Sequence, residues 1–130
     1  MLDRGELDAE QMWGPRGGDT WVYNDALVNS DKLVGTPTYV STGNGVWDEF
    51  DEPAEYTIQG SEDVMPRRTA GSFIEMATYG CGLALKTKME QNGADADMVW
   101  NLRDSGTHAW DHWQEDLHDS WQRMFANEPY

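Results

Sequence analysis

Residues 96–110 read Ala96-Asp97-Met98-Val99-Trp100-Asn101-Leu102-Arg103-Asp104-Ser105-Gly106-Thr107-His108-Ala109-Trp110. The first seven form a short apolar and aromatic run, which predicts a strand. Arg103 to Thr107 is a polar turn containing glycine. After it Trp110, Trp113, Leu117, Trp121 and Met124-Phe125 recur at helical spacing over about four turns, predicting a closing amphipathic helix. Upstream, Ala70, Phe73, Ile74, Ala77, Cys81, Ala84 and Leu85 recur at steps of three and four, which predicts a helix over 66–91 with one apolar stripe. Pro66 suits its first turn and Asn92-Gly93 its end. Gly71, Gly80 and Gly82 weigh against it, each costing about 1 kcal/mol relative to alanine. Further upstream, Thr36-Pro37-Thr38-Tyr39-Val40-Ser41 reads as a strand with Pro37 near its start. The order strand, long loop, helix, strand, turn, helix predicts an α/β fold built on one right-handed βαβ unit. Two parallel strands are too few for a covered parallel sheet, so an incomplete sheet is expected, the edge of a larger one.

The remaining segments fit around that unit. Trp13 to Asp19 carries three glycines and a proline and reads as a loop. A short helix is expected around residues 24–33, with Asn24 or Asp25 as its cap and Gly35 ending it. Thr42-Gly43-Asn44-Gly45 is a turn at the end of the first strand. Residues 43–65 contain seven acidic side chains and no basic one, and read as a long acidic loop of the kind that often lines functional sites. No internal repeat or low-complexity tract divides residues 1–130, which are read as a single segment of one domain.

Asp and Glu number 24 against 9 Lys and Arg, for a net charge of −15. That balance argues against a nucleic acid partner or an anionic lipid surface, since phosphate binding needs a cationic footprint. No apolar run approaches the roughly 18 residues of a membrane span. Met1-Leu2-Asp3-Arg4-Gly5-Glu6 lacks the basic-then-apolar pattern of a secretory signal. Seven tryptophans and 38% hydrophobic residues argue against a disordered chain. Cys81 is the single cysteine, so no internal disulfide is expected, and its place on the helical stripe makes it a core residue.

His108 falls in the turn after a strand and before a helix, where sites form in open α/β sheets. An imidazole there can act as a general base near neutral pH, or simply cap the last helix in solvent. A catalytic histidine needs a carboxylate to fix its tautomer, and Glu75 is the candidate, lying beside the apolar pair Phe73-Ile74. Read without a partner, Glu75 is an ordinary helix-surface acid favoured by the helix dipole. A serine nucleophile is not found: Ser30, Ser41, Ser61, Ser72, Ser105 and Ser120 all lack the Gly-x-Ser-x-Gly elbow. His108 and His112 are four apart but lack the HExxH glutamate, and Asp48-Glu49-Phe50-Asp51-Glu52 lacks calcium-loop spacing. Both read as solvated surface, and neither a metal nor a cofactor is expected. Trp13, Trp47 and Trp110 are candidates for a sugar-stacking rim, with Trp113 and Trp121 assigned to the core.

Met12-Trp13-Gly14-Pro15, Asn24-Asp25, Lys32-Leu33, Gly43-Asn44-Gly45, Phe73-Ile74-Glu75 and Gly106-Thr107-His108-Ala109-Trp110 resemble, in this order, the C-terminal part of the antigen 85 type mycolyltransferases. Asp111-His112-Trp113-Gln114-Glu115-Asp116-Leu117-His118 looks like the corynebacterial branch, the trehalose corynomycolyltransferases. The resemblance implies the C-terminal portion of an α/β-hydrolase fold, with the nucleophile half outside residues 1–130. It implies an esterase-type acyltransferase of the secreted cell envelope, moving mycolyl groups to trehalose or arabinogalactan through a serine acyl-enzyme. Glu75 then takes the acid position, His108 the base position, and Trp110 a place beside the pocket for trehalose or a trehalose mycolate-like glycolipid. The family's frequent cysteine before the Gly-Asn-Gly turn is Ser41 here. Without a nucleophile the chain is expected to be inactive alone, and to self-associate or pair with the missing N-terminal half. The alternative is a non-catalytic carbohydrate-binding or interaction module.

Overall fold

The computed structural model describes residues 9–51 and 64–125. Two short helices, α1 (Ala9–Trp13) and α2 (Asp19–Asn24), precede a 3-10 turn at Ser30–Leu33. Strand β1 (Thr38–Thr42) leads through a 3-10 turn at Glu49–Asp51 to the long helix α3 (Val64–Gln91). A third 3-10 turn, Asp95–Asp97, opens β2 (Met98–Leu102), and α4 (Trp110–Phe125) closes the described chain. The strands pair in parallel, Thr38 opposite Met98 through Thr42 opposite Leu102. Antiparallel neighbours can be joined by a tight hairpin, whereas parallel ones need a long crossover, here α3. This is the βαβ unit expected, with a two-stranded sheet among the described residues, and it is compatible with a partial α/β-hydrolase fold.

Several boundaries differ from the sequence expectation for physical reasons. The helix expected over 24–33 is instead α2, a turn and the 3-10 segment. Asp25 Oδ1 accepts from the backbone N–H groups of Leu27 and Val28, at 2.8 and 3.2 Å. Asn29 Nδ2 donates to the Val22 and Asp25 carbonyls, at 2.7 and 2.8 Å. Short polar side chains here compete for the backbone and break the helical run. Helix α3 begins at Val64, inside the segment read as a loop over 43–65; residues 52–63 of that segment lie outside the described residues.

The larger correction concerns which face of α3 is buried. Its inward residues are Arg68, Gly71, Glu75, Gly82 and Met89, at helical steps. Phe73, Ile74, Ala77, Cys81 and Ala84 from the predicted stripe are exposed. Cys81 is therefore a surface residue, not a core one. Gly82 lies against the sheet, where a Cβ would make ordinary contact with Leu102 at 3.4 Å and Thr42 at 3.5 Å. The buried apolar core is small and lies at the far end, where Met89, Ala94 and Met98 pack with Leu33, Val40, Leu85 and Trp100. Trp121, expected in the core, is 54% exposed, and Leu117 and Phe125 are also exposed.

Helix α4 is held to the sheet by polar contacts instead. Tyr39 Oη donates to Asp119 Oδ2 at 2.8 Å, and Asn101 Nδ2 donates to Asp116 Oδ1 at 3.1 Å. Arg103 pairs with the same Asp116 carboxylate. Burial, then the bond to Asp119, raise the Tyr39 hydroxyl above its ordinary pKa. A raised folded value means its stabilisation is complete below the unfolded tyrosine range and lost as pH climbs through the folded one. Stability measured by urea titration should therefore fall on an alkaline limb above about pH 10, and Tyr39→Phe should flatten that limb.

Glycines give a paired prediction. A Cβ on Gly43 would lie 2.4 Å from the Gly106 carbonyl oxygen and 2.6 Å from that of Ser105, whereas one on Gly80 meets nothing within 4 Å. Gly43→Ala should destabilise the chain by about 1–3 kcal/mol or more, since backbone must shift. Gly80→Ala, in an open helix position, should stabilise it by about 0.5–1 kcal/mol. Thermal or urea unfolding of the two variants checks both signs.

Candidate active site

The carboxyl ends of the two strands and the inward face of α3 meet at one place. After β1 the chain turns through Gly43-Asn44-Gly45, with Gly45 at φ +85°. Gly45 N–H donates to the Gly106 carbonyl at 2.9 Å and Gly106 N–H to the Val46 carbonyl at 2.7 Å. Asn44 Nδ2 adds a bond to the Asp104 carbonyl at 2.7 Å. These bonds stitch the turn after β1 to the loop after β2. Helix α3 comes so close that a Cβ on Gly45 would be 2.4 Å from the Ser72 carbonyl oxygen. No L side chain fits there.

Glu75 points from α3 into this junction and is 3% exposed. Its Oε1 accepts from Thr42 Oγ1 at 2.8 Å and from Gly43 N–H at 2.9 Å. Its Oε2 lies 3.0 Å from His108 Nδ1. The carboxylate is thus fixed by the end of β1 on one oxygen and presents the other to the imidazole. A buried carboxylate tolerates its site only with such partners. His108 has an exposed side chain, packed edge-on against Trp113 at 4.6 Å between ring centroids. With Nδ1 engaged, Nε2 is the nitrogen open to a reacting group, as in a carboxylate–histidine pair that sets the tautomer. No serine or cysteine among the described residues hydrogen-bonds this imidazole.

Trp110 is 70% exposed and edge-on to Trp113 at 4.9 Å. Arg68 lies over the Trp47 ring at 4.0 Å, and Trp47 Nε1 donates to Ser72 Oγ at 2.7 Å. Trp47 is therefore engaged by protein, and Trp110 is the indole left open beside His108. Trp13 sits half-buried on α1.

The acidic loop and His112 depart from expectation. Asp51 is fully buried and His112 is 2% exposed, so neither belongs to a solvated face. Asp48 Oδ2 accepts from Ser105 Oγ at 2.8 Å, and Asp51 Oδ1 accepts from Thr107 Oγ1. Their hydroxyl donors come from the loop that carries His108. Thr42, Asp48, Asp51 and His112 were not singled out as site residues by sequence reasoning. A threonine ending a strand, or an aspartate in an acidic run, carries no pattern that separates it from surface.

The mixed α/β unit thus brings a buried carboxylate onto a loop histidine at the carboxyl ends of its two parallel strands. Sequence comparison finds the chain similar to a part of several mycolyltransferases. It is 30% identical over 120 residues to the diacylglycerol acyltransferase/mycolyltransferase Ag85A of Mycobacterium ulcerans, covering 90% of this chain and 31% of that protein. It is 33% identical over 120 residues to Ag85B of Mycobacterium leprae, covering 90% and 32%. Against Ag85C of Mycobacterium leprae it is 28% identical over 119 residues, covering 90% and 31%. The chain spans about a third of the length of these curated relatives. No family model matches it.

The geometry predicts the tautomer of His108. Nitrogen NMR of the neutral imidazole should show the proton on Nδ1, and Glu75→Ala should mix the tautomers. Thr42→Val should cost about 1 kcal/mol of stability by removing one of the two donors to Oε1 of the buried carboxylate.

Proposed function

We propose that this chain supplies the acid–histidine half of a serine acyl-transfer site of the mycolyltransferase kind. The observation that carries the reading is the Glu75–His108 contact at 3.0 Å, with the second carboxylate oxygen locked by Thr42 and Gly43. In this reading His108 Nε2 takes the proton of a serine hydroxyl as its oxygen attacks the acyl ester carbonyl. It returns that proton to the departing sugar oxygen, leaving a serine acyl ester. The histidine then deprotonates an acceptor hydroxyl as its oxygen attacks the acyl carbonyl, and returns that proton to the departing serine oxygen, so the acceptor carries the acyl group. Glu75 orients the ring and stabilises the imidazolium. Trp110 borders the site for trehalose, a trehalose mycolate-like glycolipid or arabinogalactan at the cell envelope. The serine and the oxyanion donors come from outside residues 1–130, which act as the C-terminal segment of the hydrolase domain, and the acidic loop over 43–65 flanks the site. The exposed apolar faces of α3 and α4 support association with a further segment or a second copy. No helix among the described residues is long and apolar enough to cross a membrane.

A second reading is a carbohydrate-binding module without chemistry, favoured by the open Trp110 indole. Turnover of a p-nitrophenyl acyl ester, with light scattering on the same sample, separates the two. The acyl-transfer reading expects no turnover from the chain alone and an associated sample. On adding the segment that carries the nucleophile, turnover should appear and fall about 10⁴-fold in Glu75→Gln. Activity of the chain alone that His108→Ala abolishes would show a nucleophile inside it and overturn the half-site. Trehalose binding by a stable monomer, lost in Trp110→Ala and kept in His108→Ala, would favour the binding module.

A further inference from the structure

We propose that Asp48, Asp51 and His112 form a binding site for a divalent transition-metal ion of the zinc class, joining the acidic loop to the start of α4. One donor atom from each lies within 4.8 Å of the other two. His112 Nε2 is 3.3 Å from Asp48 Oδ1 and 4.0 Å from Asp51 Oδ2. Metal bonds of about 2.0–2.2 Å in tetrahedral geometry put ligands about 3.3–3.6 Å apart. One edge already has that length, and a small inward shift of Asp51 supplies another.

The independent observation is the imidazole itself. His112 is 2% exposed, yet its Nε2 has no hydrogen-bond partner. Asp48 Oδ1 is within ion-pair reach but lies off the direction in which an Nε2–H would donate. A buried polar nitrogen without a partner is costly, and a metal ion seated between the imidazole and the two carboxylates would answer it. The ring is fixed in that pose: Gly106, at φ +102°, lies so close that a Cβ there would meet the imidazole at 3.0–3.2 Å.

The surroundings match an outer shell of ligand-orienting groups. The oxygens of Asp48 and Asp51 not aimed at His112 are held by Ser105 Oγ and Thr107 Oγ1. The oxygens aimed at it are steadied by backbone donors, Phe50 N–H to Asp48 Oδ1 at 3.1 Å and Asp48 N–H to Asp51 Oδ2 at 3.1 Å. Nitrogen and carboxylate donors together suit zinc, cobalt or manganese better than calcium, which takes six to eight oxygens. Three protein ligands leave one position for water. The ion would pin residues 48–51 to the start of α4, beside the loop that carries His108, whatever reaction that histidine serves.

The test is metal retention by the purified chain. After stripping with EDTA, the protein is given zinc chloride, desalted and assayed by elemental analysis, with a cobalt(II) titration in parallel. One equivalent per chain should remain, cobalt should give the visible bands of a tetrahedral centre, and zinc should raise the melting temperature. Ser105→Ala, which keeps all three ligands, should weaken retention about 10–100-fold. His112→Gln and Asp51→Asn should abolish it, while His118→Gln on the exposed face of α4 should not. Failure of the folded wild-type chain to hold an equivalent, or undiminished retention in His112→Gln, overturns the site. Loss of metal with unchanged ester turnover in the assembled enzyme would leave the acyl-transfer reading standing, so the two proposals fail separately.

Discussion

The carboxylate of Glu75 decides where everything around it must be. It lies on the inward face of a 28-residue helix and is almost wholly removed from water. Desolvating a carboxylate is tolerable only when its oxygens are answered by donors. Thr42 and Gly43 answer one oxygen from the end of β1, and His108 meets the other from the loop after β2. One side chain therefore fixes the helix, the strand end and the loop relative to one another. Their close approach accounts for the glycines at 43 and 45, whose added Cβ atoms would run into carbonyl oxygens at 2.4 Å.

The loop that carries His108 is restrained from three directions. Backbone bonds join it to residues 45 and 46, the hydroxyls of Ser105 and Thr107 anchor it to Asp48 and Asp51, and Glu75 holds the imidazole. Such redundancy suits the role proposed for His108, since a site loosened by about 1 Å loses much of its effect. Part of the chain's acidic surplus is thus structural. Half-buried Asp48 and buried Asp51 receive hydroxyl hydrogens from the loop that carries His108, where a composition-level reading assigns them to solvent.

The strands, the long helix, the closing helix and the turn between them were legible because periodicity and glycine punctuation reflect local geometry. The pair Glu75 and His108 was legible as candidates, 33 residues apart, but their meeting depends on the rotation of α3 about its axis. That rotation is the point at which the sequence pattern misleads. The stripe Phe73, Ile74, Ala77, Cys81 and Ala84 is the more apolar face, so periodicity assigns it to the interior. The chain instead turns inward the face bearing Arg68, Gly71, Glu75 and Gly82. The break after α2 was hidden for a different reason, since side chains such as Asp25 and Asn29 compete with the helix through specific bonds that propensity averages over. His112 carries the same lesson: polar at a helical position, it reads as surface, while the ring is buried above Gly106.

Both long helices show the same inversion. Helix α4 turns Leu117, Trp121 and Phe125 outward and meets the sheet through Asp116 and Asp119. Apolar area removed from water contributes about 25 cal/mol per Å², so these outward faces hold stabilisation that the described residues do not realise among themselves. The polar contacts contribute differently. A satisfied hydrogen bond adds only about 0.5–1.5 kcal/mol net, but it fixes geometry closely. The contacts that orient Glu75 and His108 are therefore internal to the chain, whereas much of the apolar surface needed for a robust fold faces outward. Covering that surface with further protein would add stability without having to build the carboxylate–histidine geometry. A unit arranged in this way can keep the arrangement of its site while depending on other surfaces for its persistence.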